Sequence, residues 1–360
     1  MPVNDILLDR VIDREVDLRR FERGVILRLI AVLNRTDARL TAQLSEALLR
    51  LDRESFTVER LEALLASVRA TNAEAYAAVF AALEPELRDL AALEAEAQAT
   101  LMQRTVPAAV QLRVPVVGVG LDVVYAAAFS QPFQGRLLRD WVRTVEQGRL
   151  VQIRNAVRAG YVEGRTTSEI IRSIRGTKAL NYADGLLDRS RRELATVVQT
   201  ALSHTAQTAR QAFTDANAGL VKAIKWVSTL DSRTSPMCRV RDGLLYTTEH
   251  KPVGHKVPWL EGPGRLHFNC RSVSVPVLKS WRELGLDADE LPAGTRASMD
   301  GQVPADLTYA QWFAKQSAAR QDEIVGPVRG KLFREGKVSF DRFTDDRGRW
   351  LTLDNLRERL

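Results

Sequence analysis

Both cysteines of this 360-residue chain, Cys238 and Cys270, fall between Trp226 and Val277, together with His250, His255 and His267, three of its four histidines. Thiols and imidazoles bind soft metals, act as nucleophiles and move protons near neutral pH. Gathered in one Gly- and Pro-rich segment, they mark where any local chemistry should be sought. One such chemistry is metal-dependent cleavage of nucleic acid, in which a histidine activates water and a His/Asn/Asp set holds a divalent ion. His255-Lys-Val-Pro, His267-Phe-Asn-Cys and Asp242 supply residues of those types. Such sites usually place Asp and His adjacent on a strand, and no histidine here follows an Asp.

The same segment also reads as scaffold. An Asp at a turn start accepts backbone N–H bonds, so Asp231 could hold a turn while Arg233 pairs with it or with loop carbonyls. With Trp226, that network could replace core volume in a small loop-rich subdomain, and this is the reading favoured for the residues themselves. Other enzyme classes lack their signatures. The chain has no GxxxxGK[ST] loop, no Gly-x-Ser-x-Gly elbow and no His-x-Glu with a downstream Pro-Cys-x-x-Cys.

The elements that must position this segment are mostly helical. Val11, Leu18, Phe21, Val25, Leu29 and Val32 predict a helix over 6–34, and Asn34-Arg-Thr-Asp predicts a break before a second helix at 36–52. Thr57 is expected to cap a third, which Pro85 should kink or restart. Residues 106–130 turn to β-branched residues, Pro and Gly, as in a linker or a strand-containing hinge. Helices return over 137–159, ended by Gly160-Tyr-Val-Glu-Gly164, then over 168–174 behind a Thr166/Glu169 capping box and before Gly176. A long helix over 187–217 carries His204, read as a packing or surface histidine. Strands are expected at 223–230, 244–247 and 271–277. Beyond them come an acidic Pro/Gly-rich loop (287–304), helices at 309–324 and 328–334, a turn at Asp345-Asp-Arg347 and a short final helix capped at Thr352.

The expected fold is therefore mainly α with a small α+β module: long N-terminal helices, a central helical region and a loop-rich, β-containing C-terminal core. Its expected divisions are a helical hairpin or bundle at 1–105, a hinge at 106–135, a core at 136–280 and an α+β tail at 281–360. Apolar content of 45% and charged content of 27% suit a soluble protein with a sizeable core. No secretory signal or membrane span is apparent, and two cysteines suit a reducing cytoplasm. The net charge of +7 is uneven: −4 over 1–105, +12 over 106–280 and −1 over 281–360. A basic middle suggests a polyanion or an acidic protein as partner. Arg136, Arg139, Arg143, Arg149, Arg154, Arg158, Arg172 and Arg175 are candidates for that contact, several recurring at helical spacing.

DSRTSPMCRVRDG followed by HFNCRSVSVPV resembles the core of the phage head morphogenesis, or minor head protein, family typified by protein F of bacteriophage Mu. Trp226, Asp231, Arg233, Thr234, Cys238, Asp242, Gly243, Pro258, His267, Cys270, Arg271 and Pro276 carry the resemblance. GYVEGRTTSEIIRSIRG, ALSHTAQTARQAF and the tail from Tyr309 extend it over roughly 130–360.

The resemblance implies a non-enzymatic virion component, present in several copies and built into the head near the portal vertex after assembly in the host cytoplasm. Its partners would be portal, scaffold or coat protein and packaged double-stranded DNA. Its role would lie in head assembly and in DNA packaging, retention or ejection. The competing reading is a metal-dependent nuclease or toxin-like effector carried in the head. Where many relatives have Cys-x-x-Cys and Cys-Arg-Cys, this chain has Ser235-Pro-Met-Cys238 and Cys270-Arg-Ser272. If the family cysteines bind zinc, Cys238, His267 and Cys270 remain, with His255 or Asp231 as a fourth ligand. Two buried thiols packed without metal, and hence no cofactor, are the first reading of this pair, zinc is the second and a disulfide the third.

Overall fold

Leu7, Val11, Leu18, Val25, Leu29, Leu33, Leu40, Leu44 and Leu48 recur every four or seven residues, and all are buried. They lie along one unbroken helix, α1 (Val3–Leu49). The break expected at Asn34-Arg-Thr-Asp is therefore wrong. Thr36 Oγ1 turns back onto the Leu33 carbonyl at 2.9 Å, and Asp37 is buried and paired. Polar residues that usually punctuate a helix are here satisfied inside one. The computed structural model describes residues 3–50, 58–287 and 295–358; the predicted Thr57 cap and residues 288–294 of the acidic loop lie outside them.

Helix α2 (Val58–Thr105) contains Pro85 without restarting. Val79, Leu83 and Leu87 stay buried in register across the proline, and Glu86 pairs with Arg28 at 2.7 Å, so packing outweighs the lost backbone bond. No strand forms over 106–130; the stretch holds α3 (Ala108–Gln111) and α4 (Leu121–Ser130) around an extended run. The Asn217 side chain gives and takes a 2.8 Å bond with the Val117 backbone, which supplies the pairing a neighbouring strand would have made.

Next come α5 (Leu138–Val162), α6 (Thr167–Arg175) and α7 (Leu186–Ala216). The Thr166/Glu169 capping box forms as expected, and Gly176 ends α6 with φ of 89°. Gly160 does not end α5. It lies inside the helix, where a Cβ would meet Ile170 Cγ1 at 2.4 Å, and the chain leaves the helix at Gly164. The module follows: β1 (Val221–Val227), α8 (Pro236–Arg239), β2 (Leu245–Tyr246), β3 (Pro252–Val253) and β4 (Val273–Leu278). Its antiparallel sheet has the order β3-β2-β1-β4. Pro276 pairs opposite Ile224 on the edge strand β4, where a missing donor is tolerated.

The tail holds a hairpin, β5 (Thr295–Ser298) with β6 (Gly301–Pro304), and four short helices, α9 (Tyr309–Ala314), α10 (Ala318–Val325), α11 (Pro327–Arg334) and α12 (Leu353–Arg357). The single helix expected over 309–324 is split, because Ser317 caps a fresh start at Ala318 by accepting from the Arg320 amide.

Packing groups the chain into two units. One comprises 20–89 and 129–202, with a core in which Leu40, Leu44, Leu65, Ile153, Val157 and Ile174 meet. The other comprises 1–19, 90–128 and 203–360 and contains the sheet, against which Leu7, Leu8, Val11, Met102 and Phe213 pack. These units do not follow the sequence divisions at 105, 135 and 280.

Candidate functional site

Trp226 is fully buried at the centre of the module. Its ring meets Trp259 edge-on at 5.3 Å and Tyr246 at 6.4 Å, while Arg241 lies over its face. With Ile224, Cys238, Leu266 and Cys270 these rings form a small core. Large aromatic groups bury much area for few ordered residues, which suits a segment with little regular structure.

Asp231 holds the loop after β1. Its Oδ1 accepts from the Arg233 and Thr234 amides at 3.0 and 2.9 Å. The guanidinium on it belongs to Arg271, with bonds of 2.5 and 2.8 Å, and not to Arg233, whose side chain is exposed. Burial opposes the charge on Asp231, but Arg271 outweighs it and holds the carboxyl below its usual pKa. Thr234 Oγ1 donates to the Thr229 carbonyl. Asp242 accepts from the Ser228 amide at 2.7 Å and from the Tyr309 amide at 2.8 Å, which ties the module to the start of α9. Gly243, at φ of 81°, donates its amide to the Trp226 carbonyl.

Cys238 follows the Ser235 cap of α8, and Cys270 follows a turn in which Asn269 adopts φ of 57°. This geometry brings Cys238 Sγ within 3.7 Å of Cys270 Sγ and 3.2 Å of His267 Nε2. The hydrogen bond with Cys270, reinforced by burial, raises the Cys238 thiol; the same bond, with His267, draws Cys270 down against its own burial. Burial works against protonation of His267, but Cys270 outweighs it and lifts the imidazole.

His255 is not part of this cluster. Its Nε2 meets the Leu245 carbonyl at 2.8 Å and its Nδ1 accepts from the Val257 amide, so it closes the β2–β3 region instead. Asp231 is likewise unsuited as a fourth ligand, since Arg271 and the loop amides occupy its oxygens. His204 is buried against the Ala128 carbonyl at 3.1 Å. Among the candidate contact arginines, Arg136, Arg139, Arg143, Arg154 and Arg158 are exposed. Arg149 is not: it is buried and bonded to Asp37, so it drops out of that set.

Sequence reasoning missed three connectors. Ser228 Oγ accepts from Trp226 Nε1, donates to the Cys238 carbonyl and meets Ser272 Oγ. Arg239 reaches the Ile324 and Ser232 carbonyls, and Arg241 reaches those of Pro258 and Met237. The available signal was a pair of arginines inside a loop-rich stretch, where carbonyls lack strand or helix partners.

The architecture is thus a loop-rich Cys/His knuckle supported by a small antiparallel sheet and approached by helices. Residues 151–275 match the family described as Phage Mu protein F like protein. The matched stretch starts inside α5, ends in β4 and takes in the whole Cys/His segment. No curated protein and no solved structure matches the chain. Among the described residues no helix is long and apolar enough to cross a membrane.

Proposed function

We propose that the chain is a non-enzymatic minor head protein of a tailed phage or prophage. It is placed inside the head near the portal vertex, where it assists assembly and DNA packaging, retention or ejection. The observation that carries this reading is the Mu F-like match over a module in which the signature residues Trp226, Cys238 and Cys270 pack into one small core. Both Asp242 oxygens bond backbone amides, His255 bonds a carbonyl, and His267 faces Ser235 and the thiols. Groups that a nuclease would aim at substrate are used here to hold loops.

The exposed arginines of and before α5 suit packaged duplex DNA. Arg139 and Arg143, like Arg154 and Arg158, are four residues apart and share a helix face. Four phosphates neutralised would give a slope of about −4 for log affinity against log salt. Binding of the whole chain to non-specific duplex across a salt series tests this, with Arg139→Ala/Arg143→Ala expected to flatten the slope. No binding at low salt would remove the DNA contact. Plasmid cleavage with Mg²⁺ or Zn²⁺ that vanishes in His267→Ala would instead establish the nuclease reading.

A further inference from the structure

Cys238 Sγ, Cys270 Sγ and His267 Nε2 lie within 4.8 Å of one another. In a tetrahedral zinc site with Zn–S near ~2.3 Å and Zn–N near ~2.0 Å, the sulfur–sulfur edge is about 3.8 Å and the sulfur–nitrogen edge about 3.5 Å. The observed separations of 3.7 and 3.2 Å fall close to those edges. A disulfide requires sulfurs about 2.05 Å apart. The two thiols are unbonded and stand at the separation of two ligands on one ion.

Other features of the site favour an ion. His267 Nδ1 lies 2.8 Å from the Phe268 carbonyl; an N–H there fixes the tautomer and leaves the Nε2 lone pair facing the Ser235 hydroxyl at 2.8 Å and Cys238 Sγ at 3.2 Å. Both cysteines are buried, which protects a metal–thiolate bond from water. A crevice of about 20 Å³ reaches the group past Ser235 and Ser272, room for one water-sized species. Charge also balances: a divalent ion on two thiolates is neutral, and the nearby Arg271 is already matched by Asp231.

We propose that Cys238, His267 and Cys270 bind one zinc-class divalent ion, with a water beside the Ser235 hydroxyl in the fourth position. Two thiolates and a neutral imidazole enter the complex, their protons pass to solvent, and nothing is oxidised or reduced. Soft sulfur donors select zinc or cobalt over magnesium or calcium. The ion would join α8 to the turn before β4, two loops 32 residues apart in the chain.

The test uses the whole reduced chain, purified without oxygen and supplied with Zn²⁺, Co²⁺ or Mg²⁺. Expected are one tightly held Zn²⁺ per chain, a sulfur-to-cobalt charge-transfer band with Co²⁺, and protection of both thiols from alkylation by Zn²⁺ but not by Mg²⁺. His267→Gln should weaken Zn²⁺ affinity at least tenfold and His255→Gln should leave it unchanged. Cys270→Ser should abolish the cobalt band; if that variant fails to fold, thiol protection in the unaltered chain decides. Two thiols that alkylate equally fast with and without Zn²⁺, in protein that holds no ion, would overturn the proposal. So would recovery of the cysteines as a disulfide under the reducing conditions used.

Discussion

Asp37 in the helical unit and Asp231 in the sheet-bearing unit are both gripped by guanidinium groups, yet they serve unlike architectures. Asp37 sits mid-helix on α1 and is met by Arg149 of α5 and by Arg191 of α7, the latter at 2.5 Å. Its partners come from helices already placed by the apolar contacts of Leu40, Leu44 and Ile153. Asp231 sits in a loop and gathers two amides, a hydroxyl and Arg271 around itself. In the first region packing positions the charges; in the second the charges position the backbone. The lesson is that a polar residue in a helical stripe reports tertiary contact, whereas the same residue in a loop reports local geometry.

The largest effect should come from Asp37→Ala, which strands Arg149 in an interior where its side chain is 1% exposed. Removing one partner of a buried pair costs about 3–5 kcal/mol. Urea unfolding should show that loss, and the triple variant Asp37→Leu/Arg149→Met/Arg191→Met should recover most of it. Failure of the triple variant to recover would mean that Asp37 directs the fold of its unit in addition to neutralising the arginines.

Asp231→Ala should cost somewhat less, about 2–3 kcal/mol, because charged hydrogen bonds are lost in a half-buried site. The pH dependence separates this residue from its surroundings. The folded carboxyl has its pKa held below the ordinary value of 3.8, so its contribution is complete above the unfolded pKa and is lost as pH falls through the folded one. Asp231→Asn should therefore differ from the parent by a constant amount between about pH 5 and 8, with the gap closing below about pH 4. A gap that persists undiminished in acid would assign the effect to packing and not to the charge.

This contrast also explains what could be read without coordinates. The Asp231 turn, the Thr166 cap and the three strand segments were legible because each depends on residues close in sequence. Asn34-Arg-Thr-Asp37 was misread as a break, since nothing local reveals that Arg149 and Arg191 wait 112 and 154 residues away. Arg271 was a matched motif residue, but its pairing with Asp231 spans 40 residues and displaced the nearer Arg233. His255 looked equivalent to His267 by type. Only the path of β2 and β3 directs it to a carbonyl and away from the thiols.

Gly160 sharpens the helical side of the comparison. Alanine normally favours a helix by about 1 kcal/mol over glycine, so Gly160→Ala would stabilise α5 if local propensity ruled. Here its Cβ would lie 2.4 Å from Ile170 Cγ1 and 2.7 Å from Cδ1. Overpacking costs about 1–3 kcal/mol, which cancels that gain and leaves a net destabilisation of up to about 2 kcal/mol. In an Ile170→Ala background the same substitution should become neutral or favourable, measured as the difference between the two unfolding curves.

The smallest effect belongs to Thr166, where sequence and structure agree. Its Oγ1 accepts from the Glu169 amide at 3.2 Å, and the Glu169 carboxylate in turn accepts from the Thr166 amide at 2.7 Å. Both groups are exposed, so Thr166→Ala should cost only about 1 kcal/mol, and Thr166→Ser almost nothing. The loss should appear in amide exchange over α6 before it is visible in global unfolding, because the cap stabilises one short helix. If Thr166→Ala cost as much as Asp37→Ala, α6 would be a keystone of the helical unit. The ranking of distant charge pairs above local caps would then be reversed.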